Sequence, residues 1–85
     1  MRIYLAQVTV RKKETVADPE GKTISEALSR LGYDGIVDIR SGKVFSLKIK
    51  ADNDEAARDY LDEISTKILS NPVIETYNVE FGEVK

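Results

Sequence analysis

The 85-residue chain contains no cysteine and no histidine. Without cysteine there is no disulfide, thiolate nucleophile, cysteine-ligated zinc site or iron–sulfur cluster. Without histidine there is no histidine-based triad, no imidazole base poised near neutral pH and no imidazole metal site. Glycine is sparse and scattered, at positions 21, 32, 35, 42 and 82, and nowhere forms a phosphate-cradling loop. No apolar run approaches the roughly 20 residues that cross a bilayer. Met1-Arg2 leads straight into a strand-like pattern instead of the apolar core of a secretion signal. The cytoplasm is therefore the expected location. Neither charge sign prevails strongly: 13 Lys and Arg stand against 15 Asp and Glu, for a formal charge of −2. That balance gives no electrostatic reason to seek nucleic acid or an anionic membrane.

What is present suits one small globular domain spanning residues 1–85, with 41% apolar and 33% charged residues. A chain of this size buries only about 60–65% of its unfolded surface, so a lone monomer is marginal and oligomerisation is the available staple.

From Ile3 to Val10, apolar Tyr4, Ala6, Val8 and Val10 alternate with the other face, the period-2 mark of a half-buried strand. Arg11-Lys12-Lys13 ends it. Asp18-Pro19 starts a helix, an N-cap followed by proline at the first helical position. Thr23-Ile24-Ser25-Glu26 offers a competing capping box a turn later. Ile24, Ala27, Leu28 and Leu31 then follow at helical spacing, and Gly32 supplies a left-handed cap. Ile36–Arg40 and Val44–Lys50 read as two strands of a hairpin turning at Ser41-Gly42. Asp52 opens a second helix with Glu55 as its box partner; Ala57, Leu61, Ile64 and Ile68 form its stripe, and Asp54–Arg58 and Glu63–Lys67 stand at favourable spacing. Six acids between Asp52 and Glu63 read as a solvated face near a helix N-terminus, where the dipole favours them. Ser70-Asn71-Pro72 stops the helix, and Val73, Tyr77, Val79 and Phe81 alternate along a last strand. The order is β-α-β-β-α-β: an α+β, ferredoxin-like split plan, with an antiparallel sheet in the order 4-1-3-2 and both helices on one face.

No catalytic constellation emerges. Carboxylates fall in caps and helix faces, and lysines at strand ends. No catalytic, cofactor-binding or metal-ligating residue is assigned.

Several segments carry a resemblance. Asp18-Pro19-Glu20-Gly21, Ala27-Leu28 and Leu31-Gly32-Tyr33 resemble the first helix of the PurS family. Asp38-Ile39-Arg40 and Gly42-Lys43 are similar to its hairpin, and Lys67 through Tyr77, with Asn71-Pro72-Val73-Ile74-Glu75, is its most distinctive stretch. The match runs in order along nearly the whole chain. PurS is the small subunit of the multi-chain phosphoribosylformylglycinamidine synthase of purine biosynthesis. The resemblance implies a non-catalytic subunit, a homodimer or tetramer, bridging a PurL-type synthetase and a PurQ-type glutaminase and assisting ammonia transfer. ATP, with magnesium, would be used by the synthetase; this chain would hold no cofactor and be inactive alone.

Arg40 and Lys43, flanking the turn, are the leading partner-interface candidates, followed by Asn71 and Pro72 at a loop tip and by Asp18 and Glu75. Ile3, Leu5, Ile36 and Val44 are apolar positions expected on the open sheet face, a candidate dimer surface. A stand-alone ACT-like module binding a small effector is the alternative reading.

Overall fold

The structure, a computed structural model, describes residues 1–84. Its centre is β1 (Arg2–Lys12), whose Tyr4, Ala6, Val8 and Val10 are all buried while Leu5, Gln7 and Arg11 point the other way. β2 (Gly42–Ala51) pairs antiparallel along one side, Arg2 opposite Ala51 and Arg11 opposite Gly42. β3 (Glu75–Glu83) pairs antiparallel along the other, Tyr4 opposite Glu83 and Lys12 opposite Glu75. The sheet order is β2-β1-β3, which is the 3-1-4 part of the expected arrangement. Phe45, Leu47 and Ile49 share a face as their alternation requires, and Tyr77, Val79 and Phe81 do the same.

α2 (Asp54–Ile64) covers this face with Ala57 and Leu61, both fully buried. Its N-cap is Asn53 rather than Asp52: the Asn53 carboxamide oxygen accepts from the Ala56 amide at 2.8 Å. The anticipated Asp54–Arg58 pair gives way to longer-range partners. The Tyr4 hydroxyl donates to Asp54 Oδ1 at 2.8 Å, and the Arg58 guanidinium lies 4.8 Å from the Phe81 ring centroid. Glu63 and Lys67 do pair, at 2.8 Å.

The helix does not continue in register to Ile68. Residues Ser65–Leu69 form a π-helical turn, which lags the α-helical rotation and brings Ser65 and Leu69 inward. Ile68 is left 78% exposed, off the stripe its spacing assigned it to. Ser70 closes the turn, its amide and its hydroxyl both donating to the Ser65 carbonyl, at 2.9 and 2.8 Å. Ser65 itself is fully buried, and its hydroxyl has no partner. Removing an unsatisfied buried hydroxyl relieves its desolvation penalty. Ser65→Ala is therefore expected to raise stability by about 1 kcal/mol in urea denaturation; a loss of stability would mean that the hydroxyl has a partner.

α1 (Pro19–Arg30) forms where the Asp18-Pro19 signal places it, and Gly32 adopts φ 95° as its left-handed cap. α2 is the helix that packs on the sheet. α1 buries only Gly21 and leaves Ile24 and Leu31 exposed. The shape follows: the Cα radius of gyration is 16.6 Å, with extents of 52 × 29 × 14 Å, against about 12 Å for a compact domain of this length.

Residues 36–41 occupy the second β position of the plan but form no ladder, and the expected hairpin at Ser41-Gly42 does not close. Arg40 instead donates to the Lys13 and Val16 carbonyls in the loop before α1, and Ser41 to the Asp18 carboxylate at the foot of α1. Val73, expected in the last strand, lies instead in the turn before it and is 78% exposed.

Candidate partner-docking end

The residues singled out for contact are dispersed in sequence, and the fold gathers six of them at one end of the sheet. β1 ends and β2 begins there, Val10 opposite Lys43, and β3 begins there, Lys12 opposite Glu75. The Lys13 amide donates to the Ile74 carbonyl at 2.9 Å, joining the loop after β1 to the turn before β3.

Asp18 is the anchor. The residue is 6% exposed, and its carboxylate caps α1 by accepting from the Gly21 amide at 3.0 Å. It also takes the Ser41 amide and, at 2.8 Å, the Ser41 hydroxyl, thereby tying residue 41 to the helix. The Gly21 amide first, then the Ser41 amide and hydroxyl, hold its carboxyl down from 3.8 to about 2. Because the folded value is depressed, the stabilisation is complete above the ordinary carboxylate range and is lost as pH falls. Asp18→Asn should lower the melting temperature at neutral pH and flatten its decline between about pH 4 and pH 2. An acid limb as steep as the parent's would show that Asp18 is not responsible.

Arg40 is bonded within its own chain. Its Nη2 donates to the Lys13 carbonyl at 2.9 Å and the Val16 carbonyl at 2.7 Å, clamping the loop between β1 and α1. It thus shapes this end of the sheet as well as lying on it, and replacing it will not spare the local fold. Asn71 and Glu75 build the opposite loop. Asn71 Oδ1 accepts from the Val73 amide at 3.1 Å, while Glu75 Oε1 accepts from the Asn71 amide at 2.7 Å. Pro72 and Lys43 are exposed, with no internal role of this kind. Sequence reading missed Ser41 and the close approach of Gly21 to the Ile39 carbonyl. Both are contacts over some twenty residues, with no local signal.

The four apolar positions expected to form a surface separate. Ile3, Leu5 and Val44 lie on the bare sheet face, Leu5 opposite Lys48 and Val44 opposite Thr9, two rungs apart. Ile36 is in the irregular segment, away from the sheet. Among the described residues no three acidic side chains converge to hold a metal ion, and no helix is long and apolar enough to cross a membrane.

The class is a ferredoxin-like α+β domain whose polar side-chain bonds are concentrated in a cluster of loops at one end of the sheet. The PurS family model, described as phosphoribosylformylglycinamidine (FGAM) synthase, matches residues 5–83. The PurS subunit of Bacillus subtilis is 39% identical over 83 residues, covering 96% of each chain. That of Methanocaldococcus jannaschii is 30% identical over 83 residues, covering 98% of this chain and all of its own. Among solved structures, PurLQS from Thermotoga maritima contains a chain with a TM-score of 0.87 at 30% identity, covering 99% of this chain and 100% of that one. Bacillus subtilis PurS superposes with a TM-score of 0.84 at 38% identity, covering 94% and 99%. This chain belongs to the PurS family.

Proposed function

We propose that the chain is the non-catalytic small subunit of a phosphoribosylformylglycinamidine synthase complex in purine biosynthesis. It acts in the cytoplasm as a homodimer that bridges a PurL-type synthetase and a PurQ-type glutaminase. The complex turns formylglycinamide ribonucleotide, glutamine, ATP and water into formylglycinamidine ribonucleotide, glutamate, ADP and phosphate. The synthetase spends the ATP, with magnesium, and the glutaminase releases ammonia. The chain carries neither cysteine nor histidine, which fits a partner that docks and encloses. Enclosure has a chemical purpose: ammonia released into water at neutral pH takes up a proton and loses its nucleophilicity, so a water-poor route between sites preserves it.

The observation that carries the reading is the collection of Asp18, Arg40, Lys43, Asn71, Pro72 and Glu75 into one loop end of the sheet, supported by kinship to a chain of PurLQS. Self-association is supported by the unfinished fold. The outer edge of β2 is unpaired over ten residues, and α1 presents Ile24 and Leu31 to solvent. A 12-residue helix is marginal unless its apolar face is packed. A second copy brings the helix and the strand-like segment 36–40 that would cover these surfaces.

The test is reconstitution. The purified chain alone should give an even-numbered oligomer by light scattering and no glutaminase, ATPase or synthetase turnover above a blank. Mixed with PurL-type and PurQ-type subunits, it should co-elute with both and be required for glutamine-dependent synthesis. Turnover by the chain alone, or full synthesis without it, overturns the reading.

A further inference from the structure

We propose that Asp34-Gly35, in the exposed turn after α1, is a site of spontaneous covalent modification, where the main chain rearranges through a succinimide to isoaspartate. The inference is independent of the proposed function, and its failure leaves that reading untouched.

The rearrangement asks three things of a site. It needs a carboxyl or carboxamide one methylene from the main chain, a following amide free to attack it, and a backbone able to bring the two together. In this chain glycine follows an Asp or Asn at position 35 alone. Glycine gives the backbone its widest choice of conformations and puts no side chain in the way of the attack. Residues 31–38 are all exposed, and Asp34 and Gly35 lie in a turn outside any helix or strand. Among the described residues the Gly35 amide donates to no acceptor, and the Asp34 carboxylate takes no hydrogen bond and no ion pair. Nothing lies within 4 Å of the place a Gly35 Cβ would occupy, so no neighbour restrains the turn.

Other positions are closed off in identifiable ways. Asp18 and Asn71 precede proline, which has no N–H to attack with. The Asn53 carboxamide is committed to the cap of α2. Asn78 is held in β3 ahead of buried Val79. Asp38 precedes Ile39, whose branched side chain crowds the amide.

The step needs no co-reactant but water. The Gly35 nitrogen gives up its proton and bonds to Asp34 Cγ. A carboxyl oxygen leaves as water, and a five-membered imide closes. Water then opens the ring at either carbonyl. Opening at Cγ restores aspartate. Opening at the main-chain carbonyl leaves the chain running through Cβ and Cγ, with a free α-carboxylate beside it. Nothing is oxidised or reduced, the mass is unchanged, and the main chain is one atom longer. That atom enters a connection fixed at its far end, because residues 36–41 return to the foot of α1, where Ser41 bonds the Asp18 carboxylate. The new α-carboxylate is the group that an S-adenosylmethionine-dependent carboxyl methyltransferase esterifies, so the aged chain is a substrate for that class of enzyme.

The experiment incubates the full chain, folded, at neutral pH and physiological temperature for several weeks, beside a synthetic peptide of residues 29–39. Asp34→Glu and Gly35→Ala are incubated in parallel. The first moves the carboxyl one methylene too far for the five-membered ring. The second meets no neighbour, and Gly35 has no positive φ to be strained. Melting curves taken beforehand certify both folds. Isoaspartate is measured by methyl transfer from labelled S-adenosylmethionine with a purified isoaspartyl methyltransferase, and is placed in the sequence by main-chain fragmentation in a mass spectrometer. The parent should accumulate isoaspartate at residue 34, at unchanged intact mass and at a rate within a few-fold of the peptide's. Asp34→Glu should remove this label, and Gly35→Ala should slow its appearance several-fold. A folded parent that stays unmodified while the peptide converts overturns the inference, because the turn is then held closed or covered by a second copy. Equal labelling of parent and Asp34→Glu also overturns it, placing the reactive residue elsewhere.

Discussion

Gly21→Ala lowers stability by about 1–3 kcal/mol, the cost of forcing a methyl group into a site already filled. The direction is informative because alanine is the better helix former, by close to 1 kcal/mol, so propensity alone predicts a gain. Gly21 lies in the first turn of α1 and is the one buried residue of that helix. A Cβ there runs into the Ile39 carbonyl oxygen and comes within 3.0 Å of Asp18 Oδ2. The first obstacle is backbone, and the second is a carboxylate already committed to Gly21 and Ser41, so neither yields by turning a free side chain. The segment 36–41 must move away from α1, stretching the Asp18–Ser41 bonds and the Arg40 clamp together. Amide exchange at Ser41 should accelerate along with the fall in melting temperature. Gly35→Ala is the control: nothing lies within 4 Å of its Cβ, and its effect should stay within about 0.5 kcal/mol. Equal effects at the two positions would show that the junction between α1 and residues 36–41 is loose in solution.

The same junction marks where the sequence stops being legible. Three strands, two helices, the Asp18 cap and the Gly32 stop follow from period, capping chemistry and chirality, all of which act within a few residues. Ile36, Val37 and Ile39 carry a strand-like pattern as good as others in the chain, yet Val37 is 98% exposed and the segment pairs with nothing. Within the single chain the segment is held by long-range side-chain bonds instead. Arg40 reaches carbonyls 24 and 27 positions back, and Ser41 reaches Asp18, 23 positions back. No periodicity encodes such bonds. The gathering of Arg40, Asn71 and Asp18 at one end was equally hidden, although each was individually conspicuous as a residue with no place in the core. The misplaced cap of α2 differs in kind: Asp52 and Asn53 are both good caps, and the geometry of entry from β2 selects the second.

Leu61→Ala and Ile68→Ala separate the π-turn from a straight helix, and their expected effects differ several-fold. In an unbroken α-helix the two residues lie seven apart on one stripe, and both would be core. In the structure Leu61 is fully buried against the sheet, while Ile68 is 78% exposed beyond the π-turn. Truncating a buried leucine loses its transfer free energy and leaves a cavity, together about 2–5 kcal/mol. In an isolated chain with only a few kcal/mol to lose, that leaves a large unfolded fraction. Ile68→Ala removes a side chain already in water and should shift stability by about 0.5 kcal/mol or less. Urea midpoints of the two variants, with Leu69→Ala as a partly buried intermediate, rank the three positions. The order Leu61, Leu69, Ile68 is the signature of the π-turn, because the extra residue per turn turns Leu69 inward and carries Ile68 out. If Ile68→Ala costs as much as Leu61→Ala while the chain is monomeric, the helix is α-helical to its end and Ser65 does not face the core. If Ile68→Ala is silent in the monomer but weakens association with a larger subunit, the residue expelled by the π-turn is a contact of the nearby Asn71-Pro72 loop end.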